Sequence, residues 1–218
     1  MANRKNGFAN NEYYHIYNRG VDKRNIFTEE RDLKRFIQSI LEFNQIKTIG
    51  SIYENSFNKS NKKTKSCKLV NFIAYCINPN HFHFILEQNQ DDGIKKFMHK
   101  LSTGYTMYFN EKEKRSGPLF SGRYKAKHVD SDGYLLQLSA YVNQNDQIHQ
   151  IGDSTSKLIS SSLSQYININ NNKYQPIPCD KEVIIEQFKN PQEYLRYSQE
   201  VAKETLKRRV MEDSVGLC

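Results

Sequence analysis

The sequence predicts an α+β fold in which helices pack on one side of an antiparallel sheet. Three observations carry that expectation. Short stretches with strand-like alternation are interspersed with stretches whose apolar residues recur at helical spacing. Two strand-like stretches, 69–77 and 81–87, are joined only by Asn-Pro-Asn, a connection too short for a parallel crossover. The resulting order, βα–ββ–α–β–α, suits a two-layer sandwich around one core.

The elements follow in order. Residues 13–19, YYHIYNR, alternate as a first strand, and Gly20 begins a turn. Thr28 is the expected N-cap of a helix over 29–45, with Glu29 and Glu30 favouring its positive end. Leu33, Phe36, Ile37, Ile40 and Leu41 form its apolar stripe. The polar stretch 51–68, with Lys59, Lys62, Lys63, Lys65 and Lys68, reads as a loop or hairpin tip, either solvated or touching phosphate. LVNFIAYCI at 69–77 and the strand from His81 to Glu87 make an antiparallel hairpin. Asp91 and Asp92 precede a helix over 93–110, whose stripe of Ile94, Phe97, Met98, Leu101, Tyr105 and Tyr108 reads as core packing. A loop and a strand at 123–129 follow, and then a helix over 132–146 capped by Ser131 and Asp132. Residues 151–173, rich in Ser and Asn, read as a linker. The remainder, 174–218, reads as a helical extension, two helices parted by Pro191.

Composition narrows the class. A chain of 218 residues can bury a substantial core. It has no apolar run of about 18 residues, so no membrane span is expected. MANRKNGFANNEYY lacks the apolar run of a secretory signal. Cys67, Cys76, Cys179 and Cys218 are scattered, as befits reduced thiols and a cytoplasmic location. The formal net charge of +8 favours a polyanionic partner. Phe120, Arg123, Tyr124, Lys125 and Lys127 interleave cations that neutralise phosphates with rings that stack on unpaired bases.

Two short stretches carry chemistry. In INPNHFHFILEQ a strand puts His81 and His83 on one face and Phe82 and Phe84 on the other. Two adjacent imidazoles can hold one metal ion, or can simply line the wet face of a sheet. Further on, Tyr141 and Asn145 stand four residues apart, on one helix face. An amide oxygen is a hard ligand for Mg²⁺ or Mn²⁺, and a phenol can act as a nucleophile. The same face carries Tyr134 and Leu138, so it also reads as a packing stripe.

Taken together, the ordered blocks HIYNRGVDKRNIF, AYCINPNHFHFILE, GPLFSGRYKAKHVD and YLLQLSAYVNQN resemble the HUH single-tyrosine transposases. The likeness is greatest to those associated with repetitive extragenic palindromes. It runs from about Tyr14 to Asn145 and more loosely to about Tyr197. His81, Phe82 and His83 match the family's histidine–hydrophobic–histidine motif. Tyr141 and Asn145 match its nucleophile and third metal ligand. The resemblance implies a ferredoxin-like HUH fold, with residues 1–150 as the nuclease/transposase domain. It also implies one divalent ion, Mg²⁺ or Mn²⁺, and cleavage of single-stranded DNA beside a hairpin or palindrome through a 5′-phosphotyrosine. Arg19, Lys23, Arg24, Arg123, Lys125 and Lys127 are the expected phosphate contacts, in a monomer or homodimer. His15, His99 and His149 are expected to be structural or surface residues, with His128 the exception closest to the site helix. In three places the chain departs from the family pattern: Asn78 stands where methionine is common, Asp146 stands where proline follows the asparagine, and GDSTSKLISSSLSQYI matches the family's serine-rich stretch but lacks its usual tryptophan. The alternative is a domesticated relative or a non-catalytic single-strand-binding protein.

Overall fold

A computed structural model of the chain describes residues 7–47, 49–50, 52, 55, 67–149, 153–169 and 174–214. The expected lysines 59, 62, 63 and 65 and Cys218 lie outside the described residues. Strand β1 (Tyr13–Arg19) leads through a short 3-10 turn to α1 (Glu30–Phe43). Next come the hairpin of β2 (Val70–Asn78) and β3 (His81–Gln88), helix α2 (Gly93–Lys112) and β4 (Lys125–Val129). Helix α3 (Asp132–Asn143) runs into the single turn α4 (Asn145–Ile148). Beyond these lie β5 (Ser160–Ser161), α5 (Leu163–Tyr166), α6 (Glu182–Ile185) and the long α7 (Pro191–Ser214).

All five strands join one sheet in the order β4-β1-β3-β2-β5, and the ladders between them are antiparallel. This is the expected α+β sheet, with β3 at its centre between β1 and β2. The helices, however, cover both faces rather than one. Phe82, Phe84 and Leu86 of β3 pack with Leu33, Phe36 and Ile40 of α1 and with Phe97, Met98 and Leu101 of α2. On the other face Ile85, Ile73 and Ala74 pack with Leu135, Leu138 and Val142 of α3, and with Tyr166 and Tyr194. The reason lies in β2, apolar almost throughout, and in β3, buried on both faces though His81 and His83 line one of them, so the sheet needs two covers.

A β-bulge decides which residues reach the second face. Phe72 pairs with Leu86 and Ala74 with Ile85, so Ile73 is the extra residue. The alternation of β2 reverses there. Val70 and Phe72 face α1 and α2, whereas Ala74, Cys76 and Asn78 face α3. The phenol of Tyr166 donates to Ile73 O at 2.8 Å, satisfying a carbonyl that the bulge takes out of the ladder.

Two further sequence expectations shift. The cap of α1 is Glu29 rather than Thr28, because Asp32 completes a reciprocal capping box with it. Thr28 instead donates through N and Oγ1 to Asp32 Oδ2. The segment read as a linker supplies β5 and α5 over its described part, and β5 pairs with Cys76 and Ile77. Pro191 parts α6 from α7, as expected, and opens the second of them. Asn143 and Gln144, at the end of α3, donate to Tyr194 Oη at 2.7 Å and Ser198 Oγ at 2.9 Å, so α7 buttresses the helix that carries Tyr141. Among the described residues no helix is long and apolar enough to cross a membrane.

Candidate active site

Antiparallel pairing sets out the site as rows across the sheet. Arg19, His81 and Asn78 lie side by side on β1, β3 and β2; the next row is Tyr17, His83 and Cys76, and the third contains His15 and Ile85. Cross-strand partners share a face. These side chains therefore project toward α3 and α4. Tyr141 comes from the last turn of α3. Asn145 comes from α4, after the helix loosens at Gln144 (φ −106°, ψ 13°). Asn145 is fully buried, His83 nearly so, and Tyr141 is half-exposed.

The four residues singled out from sequence converge. His81 Nε2 lies 2.9 Å from Asn145 Oδ1. The rings of His81 and His83 meet edge to face with centroids 5.4 Å apart, and the Tyr141 ring stands 5.8 Å from that of His83. Among the described residues none hydrogen-bonds the Tyr141 hydroxyl, which leaves it open to a substrate.

The neighbours fix which nitrogen of His81 is free. Asn80 Nδ2 donates to Lys23 O at 3.3 Å, which turns Asn80 Oδ1 toward His81 Nδ1, 2.6 Å away. Nδ1 therefore carries the proton, and Nε2 presents a lone pair to the lone pair of Asn145 Oδ1. Two acceptors at this separation need a cation or shared donor between them. Asn78 Nδ2, 3.0 Å from Nε2 and 2.8 Å from Oδ1, fills that role here. Asn145 Nδ2 is buried and, among the described residues, has no hydrogen-bond partner. An amide held with its nitrogen unsatisfied and its oxygen facing an imidazole lone pair fits a divalent-metal ligand set.

Electrostatics favour the same state. Burial pushes the pKa of His83 well below its usual value, and the surrounding imidazoles and Arg209 push it further. Burial also lowers His81, its contact with Asn145 opposing the shift and Arg209 adding to it. Both rings are thus neutral near pH 7, the state in which an imidazole can bind a metal ion.

Sequence reasoning missed three residues here. His15, taken as structural, is buried on the site face with Nε2 2.9 Å from His83 Nδ1, and burial lowers its pKa to about 4. The His149 ring packs 4.5 Å from that of His81. Arg209 of α7 donates to Ile148 O at 3.3 Å, bringing the C-terminal helix to the site. No local pattern could have given these contacts, which depend on strand register and helix docking. His128 is not at the site; it faces away with Tyr14 and contacts Glu12 Oε2 at 2.8 Å.

The six expected phosphate-binding cations are all exposed. Arg19, Lys125 and Lys127 share the site face, with Lys125 beside Tyr17 and Lys127 beside His15 in the ladder. Lys127 Nζ sits 4.6 Å from the centre of the Tyr134 ring. Lys23 and Arg24 belong to the turn that Asn80 contacts, where Arg24 pairs with Asp22 at 3.3 Å. Arg123 lies in the loop before β4, tied to β1 by Asn18 Nδ2 donating to Gly122 O.

A family model described as "Transposase IS200 like" matches residues 9–145, from just before β1 through the last candidate metal ligand. The chain belongs to the IS200-like transposase family. Its fold resembles a solved structure described as a REP-associated tyrosine transposase bound to a REP hairpin. The TM-score is 0.53 at 11% sequence identity, covering 83% of this chain and 93% of that one. At this identity the likeness is one of fold. No curated protein matches the chain. The matched stretch runs from β1 through α3 to the first residue of α4, and β5 and α5 to α7 lie outside it.

Proposed function

We propose that this IS200-like transposase is a metal-dependent single-stranded DNA endonuclease and strand transferase. The observation that carries the reading is the convergence of Tyr141 with His81, His83 and Asn145 on one sheet face bordered by Arg19, Lys125 and Lys127. His81 Nε2, His83 and Asn145 Oδ1 would hold one Mg²⁺ or Mn²⁺, with Asn80 and His15 fixing the tautomers of the two rings. The ion supplies Lewis-acid polarisation of the scissile phosphate. Tyr141 Oη attacks phosphorus, forming the Oη–P bond as the P–O3′ bond breaks. The phenol proton passes to solvent, and the departing 3′ oxygen takes up a proton. The product is a 5′-phosphotyrosine and a free 3′-hydroxyl, and the reverse attack by a 3′-hydroxyl rejoins strands without a further energy source.

Exposed Arg19, Lys23, Arg24, Arg123, Lys125 and Lys127 contact the phosphates of a DNA hairpin beside the cleavage site. The solved structure of similar fold is described as bound to a REP hairpin, which supports a hairpin partner here. The reading is tested on denaturing gels with end-labelled single-stranded hairpins. The expected product appears with Mn²⁺ or Mg²⁺, disappears with EDTA, and ends in a 3′-hydroxyl. Tyr141→Phe is expected to bind the same DNA without cutting it. Cleavage by that variant, or cleavage in EDTA, would overturn the mechanism.

A further inference from the structure

Asn78 lies at the centre of the proposed metal centre, fully buried and directly opposite His81 on the neighbouring strand. The bulge at Ile73 is what turns it to this face. Its amide is 3.0 Å from His81 Nε2 and 2.8 Å from Asn145 Oδ1, and those two atoms are 2.9 Å apart. Three side chains therefore close a triangle with nearly equal edges. Neighbouring ligands of an octahedral divalent ion, each at roughly 2.1 Å, stand about 3 Å apart. An amide needed only to orient Asn145 has no reason to meet the imidazole lone pair as well.

A half-turn of the Asn78 amide exchanges its oxygen and nitrogen within the same outline. With Nδ2 inward, its two N–H groups stand in for a cation between two acceptors. With Oδ1 inward, the same position offers a further hard ligand. The nitrogen then faces Cys76 Sγ, which now lies 3.6 Å from Oδ1 and can accept weakly. We infer that Asn78 is an additional ligand of the metal centre, its Oδ1 joining His81, His83 and Asn145 when the ion binds. This rests on the metal-centre reading given above.

The test is calorimetric titration of Mn²⁺ into the metal-free full chain, with thermal unfolding measured alongside. Wild type, Asn78→Ala, Asn78→Asp and His81→Ala are compared. Loss of the ligand in Asn78→Ala should weaken Mn²⁺ binding by roughly tenfold or more. Asn78→Asp offers oxygen whichever way the group turns, so it should bind at least as tightly as wild type. Its gain in melting temperature on adding Mn²⁺ should also exceed that of wild type. Undiminished binding by Asn78→Ala would overturn the inference, as would Asn78→Asp binding more weakly than wild type. Should Asn78→Ala not fold, the Asp comparison decides alone. Failure of the underlying reading shows differently: wild type binds no Mn²⁺, or His81→Ala binds it undiminished.

Discussion

Burial keeps a cluster of imidazoles neutral beside Tyr141, and that has a cost in acid. His15 is lowered to about 4 and His83 well below its ordinary value, both chiefly by desolvation. The unfolded chain takes up protons at these positions near pH 6.5, and the folded chain does not until the pH is far lower. The unfolded state thus binds more protons across that window, so stability falls as pH drops from about 6.5 toward 4. Thermal melts of the metal-free protein should show the melting temperature declining through this range. His15→Gln, which keeps an acceptor for His83 Nδ1–H but cannot protonate, should make the decline shallower; an identical profile would contradict the account. At this scale the sequence was informative where chemistry follows local spacing. His81 and His83 alternate with phenylalanines, and Tyr141 and Asn145 are four apart. The His15–His83 contact spans 68 positions and depends on β1–β3 register, which no local spacing reveals.

The elements show a similar division. Strand β3 and helices α1 and α2 were legible because each carries a clear period. Strand β2 was legible as a strand, but its bulge was not. LVNFIAYCI is apolar almost throughout, so no polar residue marks the point where the faces exchange. For the same reason the second apolar face was missed, and the helices were expected on one side only. Two-residue β5 is too short and too polar to show alternation. The bulge is held partly by Tyr166, whose hydroxyl satisfies Ile73 O in the core between sheet and helices. Tyr166→Phe leaves that buried carbonyl unpaired and should cost about 1–3 kcal/mol in urea unfolding. Since the bulge sets the facing of Cys76 and Asn78, the same variant should also weaken Mn²⁺ binding. A variant with wild-type stability would show that the hydrogen bond does not matter to the fold.

Across the whole molecule, a charge of +8 becomes an arrangement rather than a total. Arg19, Lys125 and Lys127 border the histidine rows, while the capped end of α1 uses its charges internally, with Lys112 Nζ 2.8 Å from buried Asp32. The affinity of single-stranded DNA should therefore depend steeply on salt. Each phosphate contact removed lowers the slope of log K against log salt by roughly 0.7. Lys125→Ala with Lys127→Ala should reduce it by about 1.4, measured by fluorescence anisotropy, and an unchanged slope would place the DNA elsewhere. The C-terminal helix, which the sequence left without a role, braces α3 through Tyr194 and Ser198 and brings Arg209 beside the site. On the proposed function these parts make one covalent cleavage centre with Tyr141 as its nucleophile. The direct measurement is mass-spectrometric mapping of the SDS-resistant adduct formed with hairpin DNA and Mn²⁺. A single nucleotide-modified peptide containing Tyr141 is expected, absent when EDTA is added. An adduct on Tyr134, Tyr105 or Tyr108, or one that forms without metal, would contradict it.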